Sequence, residues 1–284
     1  MTTVIWRASA LTAVLALAAC ETTPVDTARD GLLEPEATPQ TAESPAPSPT
    51  VKTISFSRVV DLSHVIDTDI PLWPGDPAVE LIPVATLDAD GYYLRSFTIG
   101  EHSGTHMNAP SSFFEGGAGI DAYGPEQRVV SAVVIDIRHK TQANPDYALK
   151  KQDVLAWEQD HGPIPAGSVV LLYTGWQERW GDPAAFFNED ADGGLHFPGF
   201  RGDTTRFLLD HRHIAGVGID THGVDPGQDE TYATNTQVLE GNGIVLECLA
   251  RLNELPPTGT TLVLGALALK DGSGTPLSVM AFVP

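Results

Sequence analysis

Residues 101–114 read Glu101-His102-Ser103-Gly104-Thr105-His106-Met107-Asn108-Ala109-Pro110-Ser111-Ser112-Phe113-Phe114. Two histidines four apart flank Gly104, just after a strand-like apolar run at residues 92–99. Neutral imidazoles are good ligands for zinc, manganese and related ions. Spacing alone does not make a site, because a catalytic metal centre wants about three protein ligands. A lone pair of this kind is equally an ordinary polar loop.

Outward from this stretch, apolar runs rich in Val, Ile, Leu and Tyr and bounded by Gly, Pro or Asp predict strands at 54–62, 92–99, 129–137, 168–173, 214–219, 261–269 and 276–282. Helices are expected at 151–161, where Val154, Leu155 and Trp157 share a face, and at 203–212, opened by a capping Asp203. Shorter helices are expected at 234–241 and 244–252. The mixed order predicts one α/β domain over 53–284 with a central sheet.

The first twenty residues, MTTVIWRASALTAVLALAAC, carry Arg7 and then an apolar run too short for a comfortable membrane span. Leu17-Ala18-Ala19-Cys20 resembles a bacterial lipobox. Residues 1–19 are therefore expected to be a lipoprotein signal peptide, with Cys20 lipidated and the protein anchored at the cell envelope, on its periplasmic or outer-membrane face. Residues 20–52 are dominated by Thr, Pro, Glu, Ala and Ser without apolar periodicity, and predict a disordered tether. The chain has 16 Lys+Arg against 37 Asp+Glu, a formal charge of −21, which argues against nucleic acid as a partner. Cys20 and Cys248 make no disulfide framework and no C-x-x-C pair, and Cys248 reads as a buried small hydrophobe. There is no G-x-S-x-G elbow and no phosphate loop.

The run from His102 to Phe113 resembles the signature H-x-G-T-H-x-D-A-P-x-H-F of the cyclase family, which includes bacterial kynurenine formamidase and isatin hydrolase. Further stretches agree in order. Asp61-Leu62-Ser63-His64 resembles the family's D-L-S-H, and Trp73-Pro74-Gly75 its W-P-G. Gly218-Ile219-Asp220-Thr221 resembles its G-[IV]-D-T strand end. Glu247 to Pro257 resembles its E-x-L stretch, and Gly272-Ser273-Gly274-Thr275-Pro276 its closing turn. The resemblance implies a swivelling β/β/α barrel-like fold, a homo-oligomer, and hydrolysis of an amide or lactam with one or two zinc or manganese ions.

On that resemblance His102, His106 and Glu247 match metal ligands and Trp73 the substrate residue. Asn108 stands where the family has a ligating Asp, Ser112 where it has the proton-transferring His, and Asn235 where it has a second-site His. A neutral amide oxygen is a weaker ligand than a carboxylate and a poor bridge between two ions. Two imidazoles and one carboxylate still make a one-metal hydrolytic site, with Asn108 as a further oxygen. Serine is a poor base unless activated, so His64, Asp220, His222 and Asp225 are candidates for proton transfer beside Ser112. The expected function is a one-metal hydrolase acting on a small amide or lactam. The alternative is a catalytically degenerate envelope lipoprotein that binds a small ligand in the same pocket.

Overall fold

A computed structural model describes residues 53–284. The expected signal peptide, tether and Cys20 lie outside the described residues. The strands are β1 (Arg58–Asp61), β2 (Glu80–Ala85), β3 (Leu94–Thr98), β4 (His106–Asn108), β5 (Val129–Asp136), β6 (Ala148–Leu149), β7 (Val169–Tyr173), β8 (Gly199–Phe200), β9 (Gly216–Ile219), β10 (Ile244–Glu247), β11 (Thr260–Ala266) and β12 (Gly274–Val283). The helices are α1 (Leu87–Asp90), α2 (Arg138–Thr141), α3 (Lys151–His161), α4 (Pro183–Phe187), α5 (Gly202–Arg212) and α6 (Ala233–Glu240).

Seven strands close on themselves in the order β12-β11-β5-β7-β9-β10-β4, because β4 pairs with both β10 and β12. β5, β7, β9 and β10 run parallel, and β1 adds to β12 outside the ring. The mixed α/β, barrel-like expectation holds.

Side chains alternate across each strand, so the ring has two apolar faces. Val134, Leu171, Leu246, Leu262 and Val279 fill the barrel with Met107. Val133, Val170, Val217 and Val245 point outward, where Trp157 of α3, Leu208 of α5 and Val238 of α6 cover them. Both faces are apolar, which explains why β7 and the first three residues of β10 are continuous apolar runs rather than alternating ones.

The expected helix over 244–252 is corrected by this arrangement. Residues 244–247 are the strand β10, parallel to β9. A run of three apolar residues and one acid, Ile244-Val245-Leu246-Glu247, all buried, is too short to show a period that separates it from a helix. Cys248, at φ 54°, ends it with a left-handed kink. Cys248 is buried. The expected strand at 54–62 is shortened to β1, while β2 and β4 form where none was expected.

β2 and β3 make a separate two-stranded hairpin that leaves Ile82, Val84, Tyr93 and Phe97 exposed. Such a hairpin is only marginally stable by itself.

Candidate active site

β4 sets the geometry of the site. Met107 points into the barrel, so its neighbours His106 and Asn108 point out. Register places Glu247 of β10 directly opposite His106, and Gly274 of β12 opposite Asn108. The first turn of α6 adds Asn235. Gly104, at φ 68°, makes the tight turn that returns the chain from His102 to β4. A Cβ at Gly274 would lie 2.8 Å from His102 Cε1, so the β12 backbone can support that ring only as glycine.

The hydrogen bonds assign the imidazole tautomers. His106 Nδ1–H donates to Gly104 O at 2.9 Å, which leaves a lone pair on Nε2. That nitrogen is buried, has no hydrogen-bond partner, and faces Glu247 Oε2 at 3.1 Å. Ser273 Oγ donates to Glu101 Oε2 at 2.6 Å, so it accepts from His102 Nε2–H at 3.0 Å. His102 Nδ1 then carries a lone pair and faces Asn108 Oδ1 at 2.9 Å. The Asn108 amide cannot be turned round, because its Nδ2 donates to Asn235 Oδ1 at 2.9 Å and Glu247 Oε1 at 3.2 Å.

Two pairs of acceptors therefore point at each other, and only a positive species between them reconciles the contacts. A proton is disfavoured at His102, where burial and then the His106 ring hold the pKa below its ordinary value. At Glu247, burial pushes the pKa up, but positive charge on the His106 side, with neighbouring donors, outweighs it and holds the carboxyl at about 2, so the His106–Glu247 gap takes either a proton or a cation. The donor chemistry thus fits one divalent cation held by His102 Nδ1, His106 Nε2, Asn108 Oδ1 and Glu247 Oε2. Among the described residues no three His, Cys, Asp or Glu side chains converge on one point as they stand. The donors are instead drawn together in pairs. Glu247 Oε1 already accepts from Val224 N at 3.1 Å, from Asn108 Nδ2, and from Asn235 Nδ2 at 3.3 Å.

These groups form the floor of a cavity of about 440 Å³. Trp73, Phe113, Phe197 and Tyr232 wall it. Trp73 packs edge-on to Phe197 and lies 5.3 Å from the His222 ring. His222 is buried, 5.5 Å from the His106 ring, with Nε2 unpartnered. Burial, reinforced by His106, lowers its pKa to about 3, so the ring is neutral. Asp225 caps α6, accepting from Thr234 N, Asn235 N and Asn235 Nδ2, and burial raises its pKa to about 6.

The cavity thus gathers His102, His106, Asn108, Ser112, His222, Asp225, Glu247 and Trp73. Ser112 is not poised as a base, since its hydroxyl donates to Ala109 O. Two other candidates for proton transfer are corrected. His64 stacks on Trp180 at 4.0 Å and does not line the cavity. Asp220 is buried away from it and holds Thr174 N, Thr174 Oγ1 and Gln177 N. The Glu101–Ser273 relay and the Phe197 and Tyr232 walls were not foreseen. Glu101 directly before His102 was the available signal.

Comparison with known proteins bears on this geometry. The Cyclase family profile, described as "Putative cyclase", matches residues 60–226. An isatin hydrolase of Roseibium aggregatum is 34% identical over 244 residues, covering 80% of this chain and 92% of the relative. A kynurenine formamidase of Bacillus cereus is 26% identical over 222 residues, covering 78% and 95%. Both relatives are hydrolases by name. The solved isatin hydrolase A from Ralstonia solanacearum superposes with a TM-score of 0.75 at 36% identity, covering 80% of this chain and 92% of that one.

Proposed function

The chain belongs to the cyclase family, and from that premise we propose that it is a one-metal hydrolase of a small aromatic amide or lactam, with zinc or manganese as the ion. The observation that carries this reading is the pair of facing acceptors, His102 Nδ1 with Asn108 Oδ1 and His106 Nε2 with Glu247 Oε2. A divalent ion held there supplies Lewis-acid polarisation of the carbonyl and a lowered pKa for water.

The remaining work falls to the chain's own residues. Trp73 and Phe197 hold a flat substrate against the floor. Ser273, itself fixed by Glu101, holds the His102 ring in one tautomer and orientation. His222 Nε2 is the group placed to relay a proton from water to the leaving nitrogen: it is neutral and without a partner, and although burial makes it a weak base, the nearby Glu247 carboxylate favours its protonated form during the step. The bond broken is the amide C–N and the bond formed is C–O from water; the products are a carboxylate and an amine, and the remaining proton goes to the amine or to solvent.

Metal analysis of the purified chain tests this. About one zinc or manganese per chain is expected, with His106→Ala lowering affinity by more than about 100-fold, since loss of merely supporting residues costs 10- to 100-fold. A chain that stays metal-free after dialysis against both ions sinks the hydrolase reading. It would leave the degenerate ligand-binding lipoprotein, which the spent Ser112 hydroxyl favours.

Lipidation at Cys20 would display the domain at the bacterial cell envelope. Cys20→Ala is then expected to move the protein from the membrane fraction to the soluble fraction, and an unchanged distribution rejects the anchor. The exposed apolar hairpin β2–β3 supports a homo-oligomer, with a second copy of the chain covering Ile82 and Phe97. Light scattering that gives the mass of a single copy rejects it.

A further inference from the structure

The cavity has a charge character that the catalytic groups do not require. Asp76, Asp225, Asp229, Glu230 and Glu247 line it, and among the described residues no Lys or Arg does. None of Asp76, Asp225, Asp229 and Glu230 is ion-paired among the described residues. Asp229 is satisfied only by neutral donors, Thr231 N and Thr231 Oγ1. Of the five, only Glu247 is needed to hold an ion. Five carboxylates and one dication leave the cavity about three charges negative. Low-dielectric walls of Trp73, Phe113, Phe197 and Tyr232 focus that field on the occupant. His222, whose buried Nε2 has no partner, lines the same space, and a polar group of the occupant is the partner it lacks.

We infer that this site selects aromatic amides or lactams that are neutral or carry an ammonium group, and rejects those that carry a carboxylate. The inference deepens the hydrolase reading and rests on it for the amide class. A carboxylate entering the cavity meets a net charge of about three negatives even with one dication on the floor, and no Lys or Arg among the described residues to offset it; like-charge juxtaposition is what suppresses wrong partners. An ammonium group meets Asp76, Asp229 and Glu230 near the exposed rim. The same field distinguishes substrate from product. Water adds across the C–N bond, and the neutral carbonyl leaves as a carboxylate, with the amine as the other product and one proton passed to the amine or to solvent. That new anion is then disfavoured where it forms, so the acidic lining favours product release.

The test uses matched probes and the full chain in a neutral detergent. Formanilide, 4-(aminomethyl)formanilide and 4-carboxyformanilide form one triplet. Isatin and its 5-aminomethyl and 5-carboxy derivatives form another. Dissociation constants are measured by ligand-observed NMR, which does not require turnover. The neutral and ammonium members are expected to bind at least about tenfold more tightly than the carboxylate member. The double variant Asp229→Asn, Glu230→Gln is expected to narrow that gap by about threefold or more. Phe197→Ala is expected to weaken all members alike, which places them in the cavity. Equal or tighter binding of the carboxylates, a gap unmoved by the double variant, or no binding by any probe overturns the inference. Turnover of the neutral members without charge discrimination ends this inference and leaves the hydrolase reading standing. Discrimination without turnover does the reverse.

Discussion

His222→Ala is expected to lower kcat on a neutral aromatic amide by about 10²- to 10⁴-fold, the range ascribed to a positioned proton-transfer group. The ion is expected to stay at about one per chain. The position is unusual for a histidine: the ring is buried among Trp73, Phe187 and His106, and its Nε2 finds no partner. A buried polar atom left unmade costs stability, so packing alone would prefer an apolar residue there. His222→Gln keeps much of the volume and one polar end but cannot shuttle a proton, and it should share the loss of kcat with little change in KM. A fall of less than tenfold in both variants would remove His222 from the chemistry. Loss of the ion in either would make it a ligand instead.

The second large effect is on stability and lies away from the site. Gly216 of β9 pairs with Ile244 of β10, and a Cβ there would lie 2.0 Å from Ile244 O. Backbone cannot yield as a flexible side chain does, so Gly216→Ala must push two ring strands apart. The expected cost is about 3 kcal/mol or more, at the upper end for overpacked cores. In a domain of this size that corresponds to a fall of roughly 6–12 °C in Tm. A fall below about 2 °C in a thermal scan would show that the ring absorbs the strain.

The site was legible where chemistry is concentrated in one segment. His102, His106 and Asn108 fall within seven consecutive residues, and the structure puts all three on the cavity floor. Glu247 was legible from the resemblance, but its setting was not: a strand buried on both faces looks like a helix to any period count. The consequence of Asn108 was half legible. Its amide is a weaker ligand, as its chemistry says, but that its Oδ1 faces His102 depends on Asn235 and Glu247 fixing its orientation. The tautomer of His102 depends on a serine 171 positions away, and spacing carries no trace of such a contact. The acidic rim was likewise hidden. Asp229 and Glu230 sit in a turn with no periodicity, and only the fold of that turn brings them to the mouth of the cavity.

The strand β4 has a consequence beyond catalysis. It is three residues long, yet its pairing with β10 and β12 is what turns an open sheet into a closed hoop. Two of its three side chains, His106 and Asn108, belong to the cavity floor. The buckle of the barrel and the floor of the pocket are the same segment. Anything that binds there is a ligand for the fastened state, and at a hundredfold excess over its Kd it adds about 2.7 kcal/mol to keeping the hoop shut. Amide exchange along β4 should therefore slow when the site is filled, even at Met107, whose side chain faces the opposite way.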